Sequence, residues 1–368
     1  MKKILIVSTV SRQFYLFEKV NIEILKSLGY EVHAAANFSD TNKRLESVDI
    51  VKHHFDIERS PFSIKNLIAY KQLKKIMETE NIDTVHCHSP MGGLLARIAA
   101  KSLKIKKVIY TAHGFHFYKG ASLFNWIAYY PIEKIMSNFT DILITINLED
   151  YNRAKSFHSK KVVYVPGIGV DSVSIRKKKI NRESIRKKLN ISEDTTVLLS
   201  VGELIKRKNY ETALKAIEKV NSGEKILYII CGTGKLEKDL KELTFKLGIQ
   251  EKVMFLGFRN DIAEICAASD IFLFPSFQEG LPVSVMEAMS MGLPIICSEI
   301  RGNIDLIQNN EGGLLFNPND SKELTEKIQQ ILVDKNHMLK MGENNLKNIA
   351  KYDINKIKQD MKFVYESI

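Results

Sequence analysis

The sequence predicts an α/β protein made of two doubly wound domains. Short apolar segments alternate with longer segments of helical periodicity along the 368-residue chain. The short segments are apolar on both faces, which is typical of parallel strands covered by helices on each side. The alternation restarts near residue 193, and two sheets of about six strands each fit a chain of this length better than one much larger sheet.

The first domain is expected to span residues 1–170. Between its strands, residues 14–28 and 64–80 have helical periodicity. A further helix is predicted in residues 352–368, and the first domain is a candidate partner for it. The predicted strands are residues 3–9, 31–36, 83–88, 108–112, 141–146 and 161–165.

The second domain is expected to span residues 171–351. The boundary lies between residues 166 and 193, where a turn-prone Pro-Gly-Ile-Gly sequence gives way to a polar segment. Helices are predicted to begin near residues 210, 236, 262, 282 and 321. The predicted strands are residues 196–202, 226–231, 253–257, 271–275, 294–298 and 313–316.

Composition narrows the functional classes. The formal net charge of +11 suggests an anionic partner, which can be a nucleic acid, an anionic membrane face or a phosphorylated ligand. The four cysteines lie in or beside apolar segments without a CxxC pair, which predicts buried free thiols and a cytoplasmic location. The sequence shows neither a signal peptide nor a membrane span. Nucleic acid is disfavoured because the most basic segment lacks interleaved aromatics and a recognisable module.

That most basic segment is residues 160–188, with ten Lys or Arg and two acidic residues. It is either a solvated linker and helix face or a patch that faces lipid headgroups or a phosphate-bearing ligand. The sequence leaves both interpretations open.

The segment from residue 274 to residue 300 is the most informative for chemistry. Glu279 and Gly280 lie between a predicted strand and a helix that begins at Pro282. Ligands of open α/β sheets bind at this edge, and the N–H groups of a helix N-terminus favour phosphate. Glu287 lies among apolar residues of that helix and needs a partner there. The alternative is that Glu279 caps the helix and Glu287 points to solvent.

Two further loops of the second domain follow strands. Lys206, Arg207 and Lys208 precede a helix and can neutralise a diphosphate, or they form a solvated basic loop. Gly232 and Gly234 form a GxG turn, which is weak evidence for phosphate because the full dinucleotide fingerprint is missing.

In the first domain, His113 and His116 follow a strand, with Gly114 between them. They are candidates for contacts to a ligand hydroxyl, or they are structural histidines. His86 and His88 lie on one face of the preceding strand, but the sequence offers them no carboxylate at a matching spacing, so no metal is predicted. The aromatic residues of segment 115–130 suggest helix packing or a surface for lipid or sugar.

With these residues in view, nearly the whole chain resembles the family-4 glycosyltransferases of the GT-B fold, in which two Rossmann-like domains face a central cleft. It is similar to the bacterial subgroup that assembles capsular and exopolysaccharide repeat units. The resemblance implies that Glu279 contacts the donor sugar or its phosphate surroundings and that Glu287 holds the ribose hydroxyls. It also implies that Gly280 and Leu281 receive the diphosphate and that Lys208 binds phosphate.

Other parts of the chain share this resemblance. Phe258 and Arg259 match the stretch near the nucleotide base, and residues 167–171 match the hinge. His113 matches the family's acceptor-side histidine, and His116 lies in the same matching stretch. Two features depart from the pattern: Glu203 stands where many relatives carry Arg, and the loop at residues 8–14 lacks paired glycines. Lys206 or Arg207 is a candidate replacement for the missing Arg.

The resemblance implies a retaining, metal-independent hexosyltransferase without a cofactor. The expected donor is a nucleoside-diphosphate sugar, UDP-linked in the first instance. The expected acceptor is a lipid-linked or soluble glycan, and an anionic membrane surface is an expected partner. A nucleotide-sugar epimerase with the GT-B fold is the main alternative.

Overall fold

The computed structural model of the protein describes residues 1–40, 43–177, 180–221, 223 and 225–368. These residues form two compact units, the first comprising residues 1–168 and 355–368 and the second residues 169–354. The boundary after residue 168 lies two residues before the sequence-based limit of the first domain.

The first unit is built on a parallel sheet in the order β3-β2-β1-β4-β5-β6-β7. Its helices within residues 1–168 are α1 (Arg12–Leu16), α2 (Lys19–Ser27), α3 (Lys65–Thr79), α4 (Pro90–Ser102), α5 (Leu123–Met136) and α6 (Leu148–Ala154). Its strands are β1 (Lys2–Val10), β2 (Tyr30–Asn37), β3 (Val51–His54), β4 (Thr84–His88), β5 (Lys107–Ala112), β6 (Ile142–Thr145) and β7 (Lys161–Tyr164).

The second unit is built on a parallel sheet in the order β10-β9-β8-β11-β12-β13. Its strands are β8 (Thr195–Val201), β9 (Lys225–Cys231), β10 (Val253–Gly257), β11 (Ile271–Phe274), β12 (Ile295–Ser298) and β13 (Gly313–Phe316). Its helices are α7 (Ser172–Lys177), α8 (Arg182–Lys188), α9 (Tyr210–Lys219), α10 (Glu237–Lys246), α11 (Ile262–Ala268), α12 (Val283–Ser290), α13 (Asn303–Leu306), α14 (Ser321–Val333) and α15 (Lys335–Asn348).

The last helix, α16 (Ile354–Glu366), belongs to the first unit from residue 355 onward. Its buried residues Ile357, Met361 and Val364 recur every three to four positions and join the core formed with β1, β2 and β6. The Tyr365 hydroxyl lies 2.8 Å from Nδ1 of His86, which fixes the end of the helix to β4.

Two sequence-based predictions for the first unit are wrong in detail. The edge strand β3 was not predicted, because its Val-Lys-His-His sequence has no buried residue and pairs with β2 through the backbone. The predicted helix of residues 14–28 is broken into α1 and α2 at Phe17 and Glu18. Glu18 turns inward at this break, although its spacing on a continuous helix gives no sign of that.

The interior strands are buried on both faces, as the sequence predicts, whereas the edge strands β3, β7 and β10 contain no buried residue. The central strands β1, β8 and β11 carry runs of buried residues along most of their length. All four cysteines are free and buried, in agreement with the sequence analysis. Among the described helices, none combines the length and the apolar character needed to cross a membrane.

The basic segment at residues 160–188 is only partly solvated. Lys178 and Lys179, in its densest part, lie outside the described residues. Arg186 is 1% exposed and its guanidinium lies 2.8 Å from an Asp270 carboxylate oxygen, while Arg182 lies 2.6 Å from the other oxygen. Neither interpretation from the sequence therefore describes these two arginines, which bind α8 to the loop before β11.

Candidate active site

Three charged side chains meet at the carboxyl ends of two neighbouring strands of the second sheet. Arg207 and Lys208 follow β8, and Glu279 follows β11, which pairs directly with β8. The Glu279 Oε1 atom lies 2.9 Å from Lys208 Nζ and 2.6 Å from the Arg207 guanidinium. Two cations predicted to bind phosphate thus contact the carboxylate predicted to lie beside the donor.

Hydrogen bonds to backbone carbonyls hold the basic turn at residues 206–208 against the loop that contains Glu279. The side-chain amide of Asn209 donates hydrogen bonds to the carbonyls of Pro275, at 2.9 Å, and Pro318, at 2.8 Å. The N–H of Phe277 donates to the Arg207 carbonyl at 2.8 Å. These bonds place Arg207 at the site. By contrast, Lys206 is exposed and has no ion pair with any residue in the described ranges.

Burial strengthens the electrostatics of this cluster. The Lys208 side chain is 12% exposed and its ammonium lies 4.5 Å from the centre of the Phe274 ring. Burial lowers the pKa of Lys208, and Glu279 offsets part of that effect. Burial alone would raise the pKa of Glu279, but Lys208 and Arg207 more than offset it and hold the pKa below its usual value. Glu279 is therefore ionised at neutral pH.

A cavity of about 510 Å³ lies at the carboxyl ends of β8, β9 and β10, and Gly202 in its lining is next to the Lys208 side chain, which would lie 3.1 Å from a Cβ at that position. Gly232, Phe258 and Arg259 contribute to its lining. Gly232 has a φ of +147°, and a Cβ there would lie 1.9 Å from the Gly202 carbonyl oxygen, so only glycine fits. Phe258 is 65% exposed, which leaves an aromatic face for a ligand.

The loop before α12 also packs closely against a glycine, in this case Gly302. Gly302 has a φ of +82°, and a Cβ there would lie 2.3 Å from the Gly280 carbonyl oxygen. Arg301 is buried and its Nε donates to the Glu279 carbonyl at 3.2 Å. Gly280 and Leu281 thus lead directly into the N-terminus of α12, where N–H groups favour anions.

Glu287 lies on α12 in a partly buried position. Its carboxylate makes neither an ion pair nor a hydrogen bond with a side chain of the described part of the protein. Burial raises its pKa, and the carboxylate contributes to the raised pKa of Cys266 on α11. The side chain is therefore available for a ligand, and the ligand-binding role and the solvent-pointing alternative both stay predictions.

In the first unit, His113 lies at the carboxyl end of β5 in a cluster of histidines. His113 Nε2 lies 3.0 Å from Nδ1 of His88, and the two rings stack at 5.3 Å. Burial lowers the pKa of His86, His88 and His113, so all three rings are neutral at neutral pH. Glu18, which the sequence analysis did not select, joins this cluster.

The aromatic segment 115–130 is mainly core. Phe115 and Phe117 are buried, and Trp126 packs against them from α5. His116 stacks on Tyr129 with 4.6 Å between ring centres. Helix packing therefore accounts for most of the aromatic residues, and a surface for lipid or sugar stays a prediction for the outer face of α5.

Two groups in the described ranges have ligand atoms close enough together for a metal ion: Glu18, His86 and His88, and His33, His53 and Glu80. In the first group, both ring nitrogens of His86 already contact hydroxyl groups at 2.8 Å. In the second, the Lys3 ammonium lies 3.5 Å from the Glu80 carboxylate. The expectation of a metal-independent reaction stays a prediction.

Comparison with known proteins identifies the family to which the chain is related. Residues 181–348 match the family model of glycosyl transferases group 1, and residues 3–147 match the glycosyl transferase 4-like model. The fold is similar to that of HepE from Anabaena, solved in complex with UDP-glucose, with a TM-score of 0.81, 19% identity and 100% of both chains covered. This likeness confirms the predicted GT-B fold.

Sequence relatives extend the comparison. The chain is 37% identical to EpsD of Bacillus subtilis (strain 168), a protein named as a glycosyltransferase. The match covers 100% of this chain and 97% of EpsD. The chain is 32% identical to the UDP-Gal:alpha-D-GlcNAc-diphosphoundecaprenol alpha-1,3-galactosyltransferase of Escherichia coli, over 77% of this chain and 76% of that enzyme. The chain therefore belongs to the family-4 glycosyltransferases of the GT-B fold.

Proposed function

We propose that the protein is a retaining hexosyltransferase that moves a sugar from a UDP-linked donor to a hydroxyl of a lipid-diphosphate-linked surface-polysaccharide unit. The observation that carries the proposal is the contact of Lys208 and Arg207 with Glu279 beside the glycine-lined cavity. The E. coli relative, whose name states a UDP-linked donor and a diphosphoundecaprenol-linked acceptor, supports the two substrate classes.

In this reaction the bond between the anomeric carbon and the diphosphate oxygen breaks, and a bond to the acceptor oxygen forms. Negative charge grows on the leaving diphosphate. Lys208, Arg207 and the N–H groups before α12 are suited to stabilise that charge. The leaving phosphate oxygen takes the acceptor's proton, so the proposal needs no side chain as a covalent nucleophile and no bound metal.

The test is nucleotide release from a panel of nucleotide sugars, with and without a polyprenyl-diphosphate-linked sugar. We expect UDP release that requires the acceptor and a product with the donor's anomeric configuration by NMR. Conversion of the donor sugar without acceptor would favour the epimerase instead. Unchanged activity with chelator present would support the metal-independent reaction.

Replacing Glu287 with alanine should weaken UDP binding about tenfold to 150-fold. Hydrogen bonds to a charged group contribute about 1.5–3 kcal/mol, and the ribose hydroxyls would lose both bonds to this carboxylate. Isothermal titration calorimetry with UDP measures the change. Glu242→Ala, on the exposed surface of α10, is the matched control and should bind UDP like the parent. Equal affinity in Glu287→Ala and the parent would contradict the ribose assignment.

The outer surface of the first unit suggests contact with a membrane. On α5, Leu123, Phe124 and Ile127 are at least 62% exposed. Lys101 and Lys104, at the end of the neighbouring helix α4, are also exposed. We propose that the first unit adsorbs reversibly to anionic lipid on the cytoplasmic face of the membrane, where each basic residue near the surface contributes about 1 kcal/mol.

Liposome co-sedimentation tests this adsorption. We expect binding to anionic vesicles that weakens as salt rises, because the Debye length shrinks, and little binding to neutral vesicles. Ile127→Asp should reduce the binding, whereas Phe245→Asp, at an equally exposed apolar site of the second unit, should not. Equal binding to neutral and anionic lipid would contradict the proposal.

A further inference from the structure

Two imidazoles and a carboxylate meet toward the amino ends of β1 and β2, in a cluster that glycosyl transfer does not use. His33 lies buried on β2, His53 lies half-buried on β3, and Glu80 follows the last turn of α3. One ligand atom of each residue lies within 4.8 Å of the ligand atoms of the other two. His33 Nδ1 is 2.9 Å from His53 Nε2 and 3.9 Å from a Glu80 carboxylate oxygen. The three groups are therefore close enough to bind one ion together.

A second carboxylate fixes which nitrogen of His33 faces this cluster. Glu31 Oε1 lies 3.0 Å from His33 Nε2. Because a carboxylate accepts hydrogen bonds, His33 Nε2 carries the proton and Nδ1 presents its lone pair to His53 and Glu80. Histidines that bind metals commonly donate their other N–H group to a carboxylate in this way. His33 thus already has the tautomer and the orientation of a metal ligand.

The donor set fits Zn²⁺ better than Mg²⁺ or Ca²⁺. Two imidazoles and one carboxylate, with a water as fourth ligand, are a known zinc environment, whereas Mg²⁺ and Ca²⁺ prefer oxygen ligands. Tetrahedral zinc bonds of about 2.0–2.1 Å place ligand atoms about 3.3 Å apart. The two ring nitrogens would separate by about 0.4 Å and the Glu80 oxygen would approach by about 0.6 Å to reach that spacing. The ion would replace the hydrogen bond between the rings, and His53 would then carry its proton on Nδ1.

The charges around the cluster favour a cation. Glu31 and Glu80 supply two carboxylates, and the carboxyl end of α3 adds negative partial charge. The Lys3 ammonium faces both carboxylates, at 3.8 Å from Glu31 and 3.5 Å from Glu80. These distances are longer than those of strong charge-assisted hydrogen bonds, and the Lys3 side chain is 28% exposed. Lys3 can therefore turn toward solvent when a divalent ion binds.

We propose that His33, His53 and Glu80 bind one Zn²⁺ ion that ties the edge strand β3 to β2 and to the end of α3. The strand β3 buries no residue and pairs with β2 through the backbone, so a metal bridge would add a side-chain anchor. His113 lies at the carboxyl end of β5, at the other edge of the sheet. The site is therefore structural, and the proposal does not rest on the proposed transferase reaction.

Isothermal titration calorimetry with Zn²⁺ on the untagged full chain tests the site. We expect the parent to bind Zn²⁺ saturably. His53→Gln and Glu80→Gln each remove one ligand atom at a partly exposed position, and each should weaken binding by at least about a hundredfold, more than is typical of losing a partner behind a ligand. His54→Gln is the matched control, because His54 is the next residue on β3, is exposed and contacts Asp56 instead. It should bind Zn²⁺ like the parent.

Lys3→Gln separates a zinc site from hydrogen bonds that only stabilise the fold. Removing the competing ammonium should tighten Zn²⁺ binding by about threefold to tenfold. Co²⁺ in place of Zn²⁺ should give the visible absorption of tetrahedral coordination, which His53→Gln should lose, while circular dichroism checks that each variant is folded.

Three results would overturn the proposal. They are absence of Zn²⁺ binding by the parent, equal affinity in Lys3→Gln and the parent, and a loss in His54→Gln as large as that in His53→Gln. A parent protein without transferase activity would contradict the proposed function alone, since the titration does not depend on turnover.

Discussion

Replacing Lys208 with alanine should lower turnover by about 10²–10³, the loss typical of removing one preorganised donor to a developing anion. Lys208 is nearly buried, and its ammonium contacts the Glu279 carboxylate at 2.9 Å. A charge held in such a site interacts with a diphosphate more strongly than a solvated one does. Single-turnover rates with saturating donor measure the effect on chemistry directly.

In Lys208→Ala, the activation free energy of the reaction should rise by more than the free energy of unfolding falls. The fold is less affected because Arg207 still pairs with Glu279 in the variant. Lys215→Ala, at an exposed position on α9, is the matched control and should keep both activity and stability. Arg207→Ala separates the two cations. If Arg207→Ala lost the activity and Lys208→Ala kept it, the assignment of the phosphate-binding residue would be displaced by one position.

The fold of the second unit could be predicted almost strand by strand. Its interior strands β9, β8, β11 and β12 are covered on both faces, which gives them continuous apolar sequences, and the edge strands β10 and β13 are apolar as well. The edge strand β3 of the first unit buries no residue, so its sequence lacks the apolar segment that indicates a strand elsewhere in the chain. The break at Glu18 was missed for a related reason, because local periodicity does not report a side chain that turns inward to meet distant residues.

The candidate site shows the same limit. The resemblance indicated Glu279 and Lys208 separately, but their direct contact depends on the pairing of β8 with β11. Arg301 supports the Glu279 loop from 22 residues away along the chain, and its sequence position gives no sign of that contact. Roles defined by local patterns were therefore accessible, whereas roles defined by strand order were not.

Replacing Arg186 with alanine should destabilise the protein by about 3–5 kcal/mol, as expected when one partner of a buried ion pair is removed. The sequence places Arg186 in a basic segment, yet its guanidinium donates to the carbonyls of Ala268, at 3.0 Å, and Thr195, at 3.1 Å, as well as to Asp270. The variant would leave these acceptors without their donor. Urea unfolding monitored by circular dichroism measures the change.

Lys187 provides the matched control, because it is the next residue on α8 and is exposed. Lys187→Ala should change the unfolding free energy by no more than about 0.5 kcal/mol. Arg186→Met tests the charge separately from the volume, since it keeps an apolar side chain of similar length but still leaves Asp270 without this ion pair. We expect Arg186→Met to be less destabilising than Arg186→Ala. If Arg186→Ala unfolded like the Lys187→Ala control, Arg186 would belong to the solvated face that its sequence suggests.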